Sequence, residues 1–494
     1  MHTAKTLGEL ARTGWRSRRV KDELRSNLLA HMRNGTPLFP GIVGYEKTVV
    51  PQVVNAILSR HDFILLGLRG QAKTRILRSL TRFLDEWIPA VTGCEINDDP
   101  LAPVCSTCLR RRAEEGDALP ITWLARHERY REKLATPDVT IGDLIGDLDP
   151  IKAATRKLTF ADPEVIHFGI VPRSNRGIFA INELPDLQAR IQVGLLNILE
   201  EGDVQIRGFP LRLPLDLCLV FSANPEDYTN RGSIITPLRD RIASQILTHY
   251  PQSLDEAAAI TSQEAWTERD GSARLVVPPY LRSTIEDVAF QARASELVDQ
   301  KSGVSARVSI ALLENVISNA ERRAVSQRVP SSVARIGDVY AAGAAITGKI
   351  ELVYEGEREG SQAVAHHLIG KAVLAVFERT FPDAYQPAEK AGEGEFQPIV
   401  AHFQNGRVLE LSDEASDADV YTKLAAVKGL EPLARKYLAC ETEAECAAAM
   451  EFVLEGLHQK SLLAKDVAAG GRVFRDMFEE MVRGLKTPKG GQHG

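Results

Sequence analysis

Gly67-Leu-Arg69-Gly70-Gln71-Ala72-Lys73-Thr74 is the stretch of this chain best suited to chemistry. It follows an apolar run, Phe63–Leu66, and leads into a helical pattern, Arg75–Phe83. In a strand–loop–helix of this kind, backbone N–H groups converge on phosphate oxygens and the helix start favours negative charge. Lys73 would reach the β and γ phosphates of ATP, and the Thr74 hydroxyl would sit on Mg²⁺. Arg69, Gln71 and Arg75 flank the same phosphates. One residue departs from the pattern: Ala72 stands where the motif asks for glycine, and its methyl crowds the turn, although Gly70 restores some freedom.

Four later features fit the same chemistry. Gly177-Ile-Phe-Ala-Ile-Asn182-Glu183 is an apolar strand ending in two polar residues, the first placed to serve Mg²⁺ and the second to orient or deprotonate an attacking water. Asn182 is the second departure, because a carboxylate normally serves the metal there and a neutral oxygen holds it less well. Asp186 lies four residues further on and either compensates or caps the next helix. Leu219-Val-Phe-Ser-Ala-Asn224 is a strand ending in an amide that would contact the γ-phosphate or position water beside Glu183. Arg239 and Arg241 close the region in Pro237-Leu-Arg-Asp-Arg-Ile, and Arg307 opens a long helix further on.

Three cysteines form a separate constellation. Cys105-Ser-Thr-Cys108 has the two-residue gap of a zinc knuckle, and Cys94 is a third thiolate one short loop earlier. The fourth ligand is not evident, His127 being the nearest histidine downstream; the three read either as a structural zinc site or as free thiols beside an Asp-Asp-Pro loop. Cys440 and Cys446 have a spacing that suits no standard site and read as core residues. His366 and His367, adjacent on a helix, point in different directions.

These residues need elements to hold them. The runs at Phe63, Gly177 and Leu217 lack polar alternation, as expected of parallel strands covered on both faces, and helical stretches separate them. An α/β parallel-sheet core over residues 37–250 follows. A basic helical arm, 1–36, precedes it, with Leu24, Leu28, Leu29 and Met32 at helical spacing. A helical lid is expected over 251–350, a linker and lid extension over 351–398, and a further helical region over 399–494. The chain has 494 residues, 60 Lys and Arg against 66 Asp and Glu, and six cysteines. That balance carries no signature of nucleic-acid binding, and the cysteines are too sparse for a disulfide scaffold. The clusters Arg16, Arg18, Arg19 and Arg110–Arg112 lack interleaved aromatics and read as solvated charge. The apolar runs are far short of the ~18 residues of a membrane span, and no secretory signal is visible, so a cytoplasmic location is expected.

In this order and at these separations, the motifs resemble those of AAA+ ATPases of the group containing magnesium-chelatase I subunits and MoxR-type proteins, over roughly residues 39–347. Phe39-Pro-Gly-Ile-Val43-Gly44-Tyr-Glu is similar to the segment that frames the adenine. Asp143–Asp149 with Phe160–Arg176 resembles the insertion before Walker B, and Leu199 through Leu213 the hairpin before sensor 1. Ser222-Ala-Asn224 is similar to sensor 1, Leu238–Arg241 to the arginine-finger segment, and Ser305-Ala-Arg307 to sensor 2.

The resemblance implies a hexameric ring with ATP at subunit interfaces and Arg241, or failing it Arg239, reaching into the neighbour's site. Arg307 would contact the γ-phosphate, and Arg207 would face the pore. It also implies a partner carrying a von Willebrand A domain, which the motor would remodel or activate, as in metal insertion. A nucleotide-gated scaffold with little hydrolysis is the alternative that Ala72 and Asn182 motivate. A transcriptional activator of the same fold is the third reading, disfavoured by the absence of a Gly-Ala-Phe-Thr-Gly-Ala loop and by a C-terminal region that is not strongly basic.

Overall fold

The computed structural model describes residues 3–157, 165–206, 212–224, 233–269, 273–383, 394–404, 406–468 and 470–477. The chain forms two compact units, Met1–His249 and Tyr250–Gly494.

The first unit is built on a five-stranded sheet: β1 (Phe63–Leu66), β2 (Tyr130–Leu134), β3 (Gly177–Asn182), β4 (Leu217–Ala223) and β5 (Ser244–Leu247). The spatial order is β5-β1-β4-β3-β2, and every pair is parallel. Side chains leave alternate faces of each strand. Phe63, Leu65, Ile178, Ala180 and Val220 therefore enter one core with the helices Val20–Arg33 and Val49–Leu58, and Ile64, Phe179, Ile181, Leu219 and Phe221 enter the other. The three apolar runs supply the middle of the sheet, as expected. The two edges were not legible in the sequence: Tyr-Arg-Glu-Lys-Leu in β2 and Ser-Gln-Ile-Leu in β5 mix charge and polarity because, among the described residues, each has one neighbour in the sheet.

The N-terminal segment belongs to this unit. Leu24 and Leu28 are buried, while Met32 is exposed. The Val20 N–H donates to Asp216 at 2.8 Å, and Arg129 donates twice to the buried Glu23, at 2.7 and 2.8 Å. Arg18 pairs with Asp85, Arg111 with Glu115, and Arg112 donates to the Leu101 carbonyl, so these members of the basic clusters are tied to the fold. Two short antiparallel pairs flank the sheet, Gly146–Leu148 with Ile166–Phe168 and Asp203–Gln205 with Arg212–Pro214. The second is the hairpin expected before Asn224; Arg207, expected within it, lies outside the described residues.

The second unit has one continuous core running from Tyr280 to Phe474. Its principal helices are Pro279–Ala294, Arg307–Gln327, Ser361–Thr380 and Glu443–Gln459. Two stretches hold further elements. The stretch 351–398, expected as linker and lid extension, contains the helix Ser361–Thr380, which places Leu368, Ile369, Val373 and Phe377 in that core. The region 399–494, expected to be helical, also contains a three-stranded antiparallel sheet of Leu409–Ser412, Gly471–Asp476 and Leu463–Ala468, in that spatial order. Its hairpin turns at Gly470, between strands that are short and half polar. Buried charges stitch this unit together: Glu451 accepts from Arg472 and from the Gly337 N–H, and Glu455 accepts from Lys465 and Tyr340. Cys446 is buried in the same core, as its spacing implied. Among the described residues, no helix is long and apolar enough to cross a membrane.

Candidate nucleotide-binding site

Parallel pairing aligns the C-terminal ends of β1, β4 and β3, with Leu66 opposite Ala223 and Phe221 opposite Ile181. Residues just beyond those ends collect in one place, which is where open parallel sheets hold ligands. Lys73, the first residue of the helix Lys73–Ser79, is buried. Its ammonium donates to Asn224 Oδ1 at 2.7 Å, to the Leu68 carbonyl at 3.0 Å and to the Gly67 carbonyl. Two residues 151 positions apart in the sequence thus meet at one charge-assisted hydrogen bond. The hydroxyl of Ser222 joins the adjacent strand to them, donating to Asn182 Oδ1 at 2.9 Å and accepting from the Glu183 N–H at 3.4 Å. Glu183 itself has φ 56° and ψ 49°, so the chain turns sharply where β3 ends.

The loop between β1 and the helix is held from below. A Cβ on Gly67 would collide with Thr248 Oγ1 and Gln71 Oε1, which are themselves hydrogen-bonded at 2.6 Å, so only glycine fits. The Tyr45 hydroxyl is shared between the carbonyls of Gln71, at 3.0 Å, and His249, at 2.7 Å. Val43 and Gly44, just before it, are half-buried. Gly70 has φ 74° and Ala72 φ 54°, so the loop takes two left-handed residues where it turns into the helix. Thr74 is half-buried, and Arg69 and Arg75 are exposed.

The structure thus brings together Gly67, Gln71, Lys73, Asn224, Asn182 and Glu183. The arginines are placed differently. Arg241 pairs with Glu200, 2.6 Å away, and donates to the Pro237 carbonyl at 3.1 Å. Arg239 is exposed on the same helix, Thr236–Arg241. Arg307 is exposed at the first position of Arg307–Gln327 in the second unit. No role was expected for the hydroxyls of Ser222, Thr248 and Tyr45, because a hydroxyl carries no spacing signal of its own.

No family model matches the chain. It is 30% identical over 241 residues to the magnesium-chelatase 38 kDa subunit of Cereibacter sphaeroides, covering 47% of this chain and 63% of that one. It is 27% identical over 215 residues to the chloroplastic magnesium-chelatase subunit ChlI of Chlamydomonas reinhardtii, covering 42% and 47%. Over about half of its length the chain is thus similar to magnesium-chelatase I subunits, a likeness that supports an AAA+ ATPase of that group. It spans between about half and just under two thirds of the length of these relatives. Among solved structures, the BchI chain of a BchI–BchD magnesium-chelatase complex aligns over 65% of this chain and 98% of its own at 20% identity, with a TM-score of 0.34.

The first unit also contains the cysteine cluster. Cys94 and Cys105, with Cys108 near the start of the helix Ser106–Glu115, lie beside Asp98, and one ligand atom from each falls within 4.8 Å of the others. The fourth member is therefore Asp98, from the Asp-Asp-Pro loop, and not His127. Donation from the Cys105 and Cys108 thiols pulls Cys94 down to about 3. Burial, and then the charge on Cys94, pushes the Asp98 carboxyl up to about 6. The signal available in the sequence was the Cys-x-x-x-Asp spacing of Cys94 and Asp98.

Proposed function

We propose that this chain binds and hydrolyses ATP in a Mg²⁺-dependent manner, as a ring of its own copies, and uses the cycle to remodel or activate a protein partner. The observation that carries this reading is the contact of Lys73 with Asn224 beside the Ser222-linked pair Asn182 and Glu183. A buried cation, an amide and a carboxylate from three neighbouring strand ends form the set that phosphoryl transfer to water requires. Lys73 and the loop N–H groups would hold the β and γ phosphates, and Asn224 would fix the γ-phosphate or the water beside it. Glu183 would orient that water and take its proton. Thr74 and Asn182 would hold Mg²⁺, which neutralises phosphate charge when bound. Arg241 or Arg239 would act on the site of a neighbouring copy, a contribution worth roughly 10³–10⁵ in rate elsewhere. A protein with a von Willebrand A domain is the partner class that the family likeness supports, and a cytoplasmic setting is consistent with it.

ATP turnover of the full chain beside Lys73→Ala and Glu183→Gln tests the proposal. Wild-type phosphate release above background, with Lys73→Ala losing nucleotide binding and Glu183→Gln retaining ATP without turnover, is expected. If all three proteins match background but the wild type binds ATP, the second reading holds: a nucleotide-gated scaffold, favoured by the neutral Asn182 and by Ala72 in a left-handed conformation.

A further inference from the structure

We propose that Cys94, Asp98, Cys105 and Cys108 bind one Zn²⁺ ion, and that this ion fixes a loop bracing the central strands of the first unit. The four ligand atoms lie within 4.8 Å of one another. A zinc ion bound by thiolates at about 2.3 Å sets its ligands about 3.8 Å apart at the corners of a tetrahedron, so closing the site takes a contraction of about 1 Å or less. The separation suits a single ion. Ligands of an iron–sulfur cluster bind different irons and stand further apart. Three thiolates also select a soft or borderline cation, so this site is chemically distinct from any Mg²⁺ at Thr74.

Asp98 gives a second, independent argument. It is 1% exposed. One carboxylate oxygen, Oδ2, accepts from the N–H groups of Val104, at 3.1 Å, and Cys105, at 2.9 Å, while Oδ1 is buried without a hydrogen-bond partner. A buried carboxylate oxygen left unsatisfied is costly, and a cation beside three thiolates satisfies it. The sulfurs are also prepared for charge: Cys94 Sγ accepts from the Asp98 N–H at 3.4 Å, and Cys105 Sγ from the Cys108 N–H at 3.3 Å.

The consequence reaches the sheet through side chains that grip this loop. Asn175 donates to the Ile96 carbonyl at 3.1 Å, and Asn97 donates to the Arg173 carbonyl at 3.1 Å. Arg176 donates to the Asn97 carbonyl at 3.4 Å. Asn175 and Arg176 also bond both backbone groups of Asp216, so one loop holds the segments that lead into β3 and β4 together. The zinc is structural and takes no part in the reaction.

The test is the metal content of the full chain, purified under reducing conditions without chelator, by mass spectrometry of the elements. One zinc per chain is expected, falling to background in the double variant Cys105→Ser, Cys108→Ser. Asp98→Asn keeps an oxygen for the Val104 and Cys105 N–H groups and leaves every thiol in place, so it carries the test if the double variant fails to fold. It should release zinc to a chromophoric chelator with an affinity at least about tenfold weaker than wild type. Replacement by Co²⁺ should give the visible bands of a tetrahedral thiolate site. A wild type that neither carries zinc nor retains it after dialysis against Zn²⁺ overturns the proposal. So does a metal content unchanged in both variants, or iron and sulfide found in place of zinc.

Discussion

Exchanging glycine and alanine at two positions of the phosphate loop should have opposite effects. Ala72 sits at φ 54° and ψ 14°, where an L-residue costs roughly 1–2 kcal/mol because its Cβ crowds the following carbonyl. Ala72→Gly removes that cost but widens the unfolded ensemble, which takes back about 0.4–1 kcal/mol. A net stabilisation of about 0.5–1 kcal/mol remains. For a unit of this size, Met1–His249, each kcal/mol moves the midpoint by roughly 2–4 °C, so Ala72→Gly should raise Tm by about 1–4 °C. Gly67→Ala introduces a methyl into Thr248 Oγ1 and Gln71 Oε1. Neither neighbour can give way without breaking their shared hydrogen bond, and overpacking of this kind costs about 1–3 kcal/mol, so Tm should fall by at least about 2 °C. Scanning calorimetry of the full chain measures both, and fluorescent-nucleotide titration should find Ala72→Gly binding at least as tightly as wild type. A lower Tm for Ala72→Gly, or a neutral Gly67→Ala, would refute the reasoning from backbone geometry.

Three further predictions concern charge. Asn182→Asp keeps an acceptor for Ser222 and adds a carboxylate, so the Mg²⁺ concentration for half-maximal turnover should fall about tenfold; an unchanged requirement would remove Asn182 from the metal's surroundings. Arg241→Ala should lower kcat by about 10³ with nucleotide affinity intact, while Glu200→Gln, which only frees Arg241, should leave kcat within a few-fold; a large loss in Arg239→Ala instead would reassign the role. Glu451→Gln removes the buried carboxylate that faces Arg472, leaving Asp413 as its remaining counter-ion, and should cost about 3 kcal/mol in denaturant titration. Burial opposes ionisation of Glu451, but Arg472 and Arg335 prevail and hold its folded pKa below the ordinary value. Its contribution is therefore full above the unfolded pKa, about 4.3, and is lost as pH falls through the folded one. The gap between wild type and variant should narrow on acidification below about pH 4, and a gap that widens there would contradict the assignment.

The middle of the first unit's sheet was legible because buried parallel strands must be apolar throughout, and Phe63–Leu66, Gly177–Ile181 and Leu217–Phe221 are. Its edges were not, since among the described residues β2 and β5 each have one neighbour in the sheet and can carry charge. Motif order grouped Lys73 with Asn224, and the two are hydrogen-bonded, because sheet order converts sequence-distant strand ends into neighbours. What spacing could not supply was Ser222, whose hydroxyl matters only once β3 and β4 are adjacent; Asp98 stands at a telling distance from Cys94, but its place beside Cys105 and Cys108 depends on how a loop folds back on them. In the second unit the helix expected at His366 and His367 runs over Ser361–Thr380, its extent obscured by the Glu-rich and Gly/Pro-rich stretches around it, and the sheet was obscured by strands of four to six residues.

The pairing of Arg241 with Glu200 changes what it would mean for this arginine to serve another molecule. Arg241 already has a counter-ion in its own chain, so meeting a phosphate elsewhere is an exchange of one anion for another, with the difference in free energy far smaller than either contact alone. A contact made by exchange is readily reversed. Because the pair is partly exposed, salt weakens the internal partner and the external one alike, which leaves the balance between them less sensitive to ionic strength than a one-sided capture would be. Glu200 also remains close enough to reclaim the guanidinium whenever the other anion departs, so the arginine would cycle between two partners and never stand unneutralised.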